Sequence, residues 1–229
     1  MKSKLIVALD FDNQTDALSL VDQLDPTWCA LKVGSELFTL LGADFVCGLV
    51  ARRYKVFLDL KFHDIPNTVA RACAVAGDLG VWMLNVHASG GVAMMQAARA
   101  ALDPYGSNRP LLIAVTVLTS MAADDLSALS ITESLTDHVK TLATLAHHAG
   151  LDGVVSSALE VPLIKAACGN DFLTITPGIR LPGGATHDQS RVITPKEAIE
   201  IGSDYLVMGR PITRATNPAQ VIQELLHYV

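Results

Sequence analysis

Eight short apolar runs, each followed by a stretch of helical periodicity, divide the sequence into repeating units of roughly 28 residues. The runs fall at 5–9, 29–33, 55–60, 82–86, 111–117, 153–156, 173–176 and 205–208. Helical patterns are expected over 14–24, 36–53, 68–79, 92–102, 135–148, 159–167, 195–201 and 218–227. Near-continuous apolar strands, as opposed to alternating ones, belong to parallel sheets covered on both faces. Half of the 229 residues are hydrophobic and only 17% are charged, which suits such a sheet. Eight strand–helix units without a Pro/Ser-rich linker or composition shift predict an α/β fold, a single-domain (β/α)8 TIM barrel over 1–229. A doubly wound open sheet is the competing architecture. It usually has fewer strands and a glycine-rich turn after the first, whereas here that strand runs into Asp10-Phe11-Asp12.

A parallel barrel gathers whatever follows each strand at one rim, where barrel enzymes do their chemistry. Those positions hold Asp10, Lys32, Asp59, Lys61, Asp64, His87, Thr119, Ser120, Gly178, Arg180, Gly209 and Arg210. The opposite ends are expected to be plainer, with Ser3, Trp28, Asp152 and Phe172. Residues 55–69, KVFLDLKFHDIPNTV, are the densest stretch, a strand whose end becomes heavily charged. On an extended backbone Asp59 and Lys61 project to one face about 7 Å apart. His63 and Asp64 follow within three residues, and this is read as the active centre. TPGIR and VMGR each end a strand in glycine closely followed by arginine, a pairing suited to phosphate. Arg210-Pro211-Ile212-Thr213 has the form of a short helix beside that site. The small, polar loop 181–191 has the composition of a lid. His87 reads equally as a core histidine or a catalytic one, and the other histidines lack ligand spacing.

The net charge of −6 argues against nucleic acid or an anionic membrane as partner. Cys29, Cys47, Cys73 and Cys168 show no C-x-x-C or metal spacing, and buried free thiols in a reducing cytosol are expected. The first apolar run is broken at once by Asp10 and Asp12, so it reads as a strand and not a signal peptide. No run approaches the ~20 apolar residues of a membrane helix. A cytoplasmic protein is expected.

The run LDLKFHDIPNTV, together with VALDF, ALKVGSELF, NVHASGG, VTVLTS, TPGIR and VMGRPIT, resembles the orotidine 5′-phosphate decarboxylase family of the bacterial type. The resemblance covers essentially the whole chain in order. It implies decarboxylation of orotidine 5′-monophosphate (OMP) to uridine 5′-monophosphate (UMP), the last step of de novo pyrimidine biosynthesis, without metal or organic cofactor. It further implies Lys61 as proton donor to C6, Asp59 beside the departing carboxylate, and Lys32 and Asp64 completing an alternating chain of charge. Asp64 would come from the partner subunit of a homodimer. Substrate contacts are implied for Asp10, Lys32 and the run Asp59, Leu60, Lys61, Phe62, His63, Asp64, Ile65, Pro66, Asn67 and Thr68. Asp10 and Thr68 would meet the ribose, Thr119 and Ser120 the base. Arg180, Gln189, Gly209 and Arg210 would hold the 5′-phosphate or its lid.

The chemistry fits these residue types. Loss of CO2 from C6 leaves a carbanion without a neighbouring electron sink. A cationic lysine beside that carbon stabilises the developing charge and then delivers its proton. Two other readings compete. A related barrel acting on a sugar phosphate would use a divalent metal held near strand two, where this chain has Lys32-Val33-Gly34. A non-catalytic phosphate-ligand receptor would bind nucleotide without turnover and leave the Asp59–Lys61–Asp64 cluster without a purpose.

Overall fold

The computed structural model describes residues 4–181 and 193–228. Eight strands close into a parallel barrel in sequence order. They are β1 (Leu5–Ala8), β2 (Ala30–Gly34), β3 (Val56–Phe62), β4 (Met83–His87), β5 (Leu111–Val115), β6 (Gly153–Val155), β7 (Leu173–Thr176) and β8 (Tyr205–Met208). The ring closes where Leu5, Ile6 and Val7 pair with Leu206, Val207 and Met208. The helices are α1 (Gln14–Val21), α2 (Ser35–Ala51), α3 (Pro66–Asp78), α4 (Val92–Ala100), α5 (Ala123–Ala128), α6 (Leu135–His148), α7 (Val161–Cys168), α8 (Pro195–Ile201), α9 (Arg210–Thr213) and α10 (Pro218–Leu225). The chain is a (β/α)8 barrel, as its periodicity predicts.

Side-chain parity builds two layers. Ile6, Ala8, Ala30, Phe57, Met83, Ile113, Ile175 and Val207 form a cluster of their own inside the barrel. Their strand neighbours Leu5, Val7, Leu31, Val33, Val56, Leu58 and Leu84 belong to a second cluster shared with the helices. Successive residues of a strand point to opposite faces, so both sides are apolar and the strands read as unbroken hydrophobic runs. Helix starts follow local chemistry. Asn13 Oδ1 accepts the Asp16 N–H at 2.9 Å, Asn217 Oδ1 accepts the Gln220 N–H at 3.1 Å, and α3 opens on Pro66.

Four differences from the sequence reading have physical causes. β3 continues through Phe62, but its pairing with β4 shifts between Leu58 and Phe62, so it is not the straight strand expected. Helix α5 is additional; it is six residues long with only Leu126 buried, too short for a periodic signal. Cys47 is exposed, because it sits on the outward face of α2 while Phe45, Val46 and Leu49 face the barrel. The other three thiols are buried, and burial pushes those of Cys29 and Cys73 up to about 12. Finally, the amino-terminal end of the barrel is not plain. Arg109 grips Asp152 with two N–H···O bonds of 2.7 and 2.6 Å, and Asp152 also accepts the Leu112 N–H. Lys165 donates to Asp204 at 2.7 Å and to the carbonyls of Asn170 and Phe172, while Asp204 accepts from the N–H and hydroxyl of Thr174. Among the described residues no helix is long and apolar enough to cross a membrane.

Candidate active site

The inward-facing parity of the lower barrel continues upward and changes chemistry. Above Ile6 and Ala8 comes Asp10, above Ala30 comes Lys32, above Phe57 comes Asp59, and above Met83 comes Asn85. Asp10, Lys32, Asp59 and Lys61 line a cavity of about 250 Å³ at the carboxyl ends of the strands. Thr119, Gly178, Arg180, Gly209 and Arg210 line the same cavity. β3 and β7 are four places apart in an eight-stranded ring, so Lys61 and the β7 arginine loop face each other across the mouth.

The charges form a continuous row. Lys32 Nζ lies 3.1 Å from Asp10 Oδ1 and 3.3 Å from Asp59 Oδ2, and Lys61 Nζ lies 2.8 Å from Asp59 Oδ1. Burial opposes the charge on Lys32, but Asp59 and Asp10 together outweigh it and hold its pKa above the ordinary lysine value. Two carboxylates thus converge on an ammonium group that is almost wholly enclosed, while the side chain of Lys61 keeps 34% of its surface open. Lys61 adopts φ +52°, in the left-handed region. For a residue with a side chain this costs on the order of 1 kcal/mol, and such strain persists only where surrounding bonds impose it.

Not every residue expected at the site reaches the cavity. Leu60 and Phe62 have the opposite parity to Asp59 and pack against the helix-side core. His63, Asp64, Ile65, Pro66, Asn67 and Thr68 are exposed at the rim, and they and Ser120 do not line the cavity. The Asp64 carboxylate accepts the N–H of Ile65 at 2.6 Å and forms no ion pair with a described residue. Gln189 and residues 182–191 of the expected lid lie outside the described residues. The rings of His87 and His63 lie tilted by 36° with centroids 5.5 Å apart. Burial, then His63 and Lys61, lower the pKa of His87 below the ordinary histidine value, against an opposing pull from Asp59.

Two residues escape a reading by charge. Asn85 is fully buried, accepts the Lys61 N–H at 2.8 Å and donates to Asp59 Oδ1 at 2.7 Å. Its signal was a polar side chain inside an otherwise apolar strand, because a buried amide must find partners. Gly34 gives Lys32 its room, since a Cβ there would lie 3.2 Å from Lys32 Nζ.

The profile of the Orotidine 5'-phosphate decarboxylase / HUMPS family matches residues 3–225. The chain belongs to this family. A relative from Legionella pneumophila (strain Paris) called orotidine 5'-phosphate decarboxylase is 65% identical over 226 residues, 99% of each chain. One of the same name from Vibrio cholerae is 59% identical over 222 residues, 97% of this chain and 96% of its own. Among solved structures, orotidine 5'-phosphate decarboxylase from Lactobacillus acidophilus superposes with a TM-score of 0.88 at 39% identity, covering 99% of this chain and 98% of that one. Membership of the family agrees with the closed eight-stranded barrel. Among the described residues no group of three or more His, Cys, Asp or Glu side chains is arranged to hold a metal ion.

Proposed function

We propose that this protein decarboxylates OMP to UMP and CO2, in pyrimidine biosynthesis, with Lys61 as the proton donor. The observation that carries the reading is Lys61 Nζ, 2.8 Å from Asp59 at one side of a cavity whose opposite side bears Arg180 and Arg210. Arg180 and Arg210 match a phosphate through charge-assisted bonds, and Thr119 lies between the two walls to meet the base. With the phosphate held there, the pyrimidine carboxylate reaches the β3 side. Asp59 disfavours that second carboxylate in the bound substrate. The bond from C6 to the carboxyl carbon then breaks, CO2 leaves, and the electron pair stays on C6. Lys61 gives one proton to C6 to form UMP and regains one from solvent. An ammonium group is most effective where charge develops during the reaction, so Lys61 acts on turnover more than on ground-state binding.

Asp64 is assigned to the neighbouring site of a homodimer. It is exposed, turned onto its own backbone, and adjacent to Ile65, an apolar side chain 66% exposed at the rim. In a two-fold dimer each chain would then complete the other's site. The metal-dependent sugar-phosphate alternative fits less well, because Lys32 already holds a positive charge between Asp10 and Asp59 where it would repel a divalent cation. The test is loss of orotate absorbance and CO2 release on OMP with EDTA present. One UMP and one CO2 per OMP are expected. No turnover, or turnover abolished by EDTA and restored by Mg²⁺, overturns the assignment.

A further inference from the structure

Where β3 and β4 lose register, Leu58 pairs with Leu84 and Phe62 pairs with Val86. Three residues of β3, Asp59, Leu60 and Lys61, are therefore opposed by one residue of β4, Asn85. Such a bulge interrupts the ladder and leaves backbone groups in need of other partners. Asn85 supplies one from its side chain, its Oδ1 accepting the Lys61 N–H at 2.8 Å. The same amide turns its Nδ2 to Asp59 Oδ1 at 2.7 Å. The residue is fully buried, so these bonds are shielded from solvent.

We infer that Asn85 is a positioning residue for the proposed reaction, fixing the left-handed backbone of Lys61 and the rotation of the Asp59 carboxylate in one step. The inference rests on the decarboxylase reading. The chemistry required at position 85 is narrow, one acceptor and one donor on a planar group reaching both bulge residues. A leucine of similar size offers neither. Glutamine would place its amide one methylene further out. With Asn85 in place, Asp59 presents Oδ1 to Lys61 and Oδ2 to Lys32, so the two lysines stay on separate oxygens. Without it, the Asp59 carboxylate is free to rotate and Lys61 loses the bond that holds φ at +52°. Small displacements of a proton donor reduce turnover strongly while leaving the phosphate end of the site intact.

The experiment compares wild type, Asn85→Ala and Asn85→Asp for kcat and KM on OMP, UMP affinity by calorimetry, and thermal midpoint. Both variants are expected to lose about 10²-fold in kcat with UMP affinity changed less than threefold. Asn85→Asp carries the decisive arm. The introduced carboxylate would face Asp59 and lose the donor, but once protonated it regains a donor to Asp59 while its other oxygen still accepts from Lys61. Burial and the Asp59 charge raise its pKa. Its kcat relative to wild type is therefore expected to climb at least fivefold as pH falls from 8 to 6. A flat ratio, kcat within threefold of wild type, or equal losses of kcat and UMP affinity each overturn the inference. If Asn85→Ala does not fold, the pH ratio of the near-isosteric Asn85→Asp decides alone. An inactive but folded wild type instead overturns the decarboxylase reading.

Discussion

Both ends of the barrel carry acid–base pairs, and they differ in closure. At the amino-terminal end the networks are finished. Asp152 meets Arg109 on two bonds and the Leu112 N–H on a third, and Asp204 meets Lys165 and Thr174. Each carboxylate is matched by guanidinium, ammonium, hydroxyl or strand N–H groups of its own chain, and each ties two strands together. At the carboxyl end, Asp10–Lys32–Asp59–Lys61 is a row of charges facing a cavity and ending on a lysine in a strained backbone. The residue that would extend the row, Asp64, faces elsewhere. The closed networks are satisfied within the chain, whereas the open row faces a cavity, as the proposed reaction requires.

The comparison breaks first at Lys61. Lys61→Ala is expected to lower kcat at least ~10³-fold while UMP affinity stays within about tenfold and the thermal midpoint stays within a few degrees. A parallel collapse of turnover and midpoint would make Lys61 a fold residue like those at the other end. Next comes the arginine side. Arg210→Ala should weaken UMP by roughly 10²-fold and uridine by less than threefold, measured by calorimetry. Equal losses would remove the phosphate assignment. At the closed end the expectation reverses. Asp152→Ala leaves a part-buried guanidinium and a strand N–H without their partner, a loss of about 2 kcal/mol that lowers the midpoint by roughly 5 °C. Its kcat at 25 °C should stay within about twofold. A drop in kcat without a change in midpoint would contradict the division between the two ends.

The smallest effect concerns Lys32 at high pH. Its pKa is raised in the folded protein, so its charge contributes stability that is fully present below the ordinary value of 10.5 and is lost as pH rises through the raised value. Thermal midpoints should therefore fall more steeply above that pH in wild type than in Lys32→Met. Parallel curves would mean that Asp10 and Asp59 do not hold the charge.

The barrel was legible because both faces of each strand are apolar, so the runs stand out between helical patterns; β7, β8 and α6 fall at their expected bounds. The rim charges Asp10, Lys32, Asp59 and Lys61 were legible because parity carries them above Ala8, Ala30 and Phe57. What stayed hidden depends on register between strands. The bulge opposite Asn85 appears only when β3 and β4 are paired; the sequence shows a polar residue inside an apolar strand, but neither the left-handed Lys61 nor the groups that amide holds. The bottom pairs were hidden for the same reason, since Arg109 and Lys165 meet acids 43 and 39 positions further along the chain.

The proposal that each site of a homodimer is completed by the neighbour's Asp64 can be tested directly by subunit exchange. Lys61→Ala and Asp64→Asn dimers, each expected to be inactive, are mixed in equal amounts and allowed to exchange subunits. In a mixed dimer one site collects both defects and the other receives Lys61 and Asp64 intact. Random exchange makes about half the dimers mixed, each with one working site of two, so about a quarter of wild-type turnover on OMP should return. If Asp64 serves its own chain, every site keeps one defect. No recovered activity, with exchange verified by mass spectrometry, would contradict the shared site.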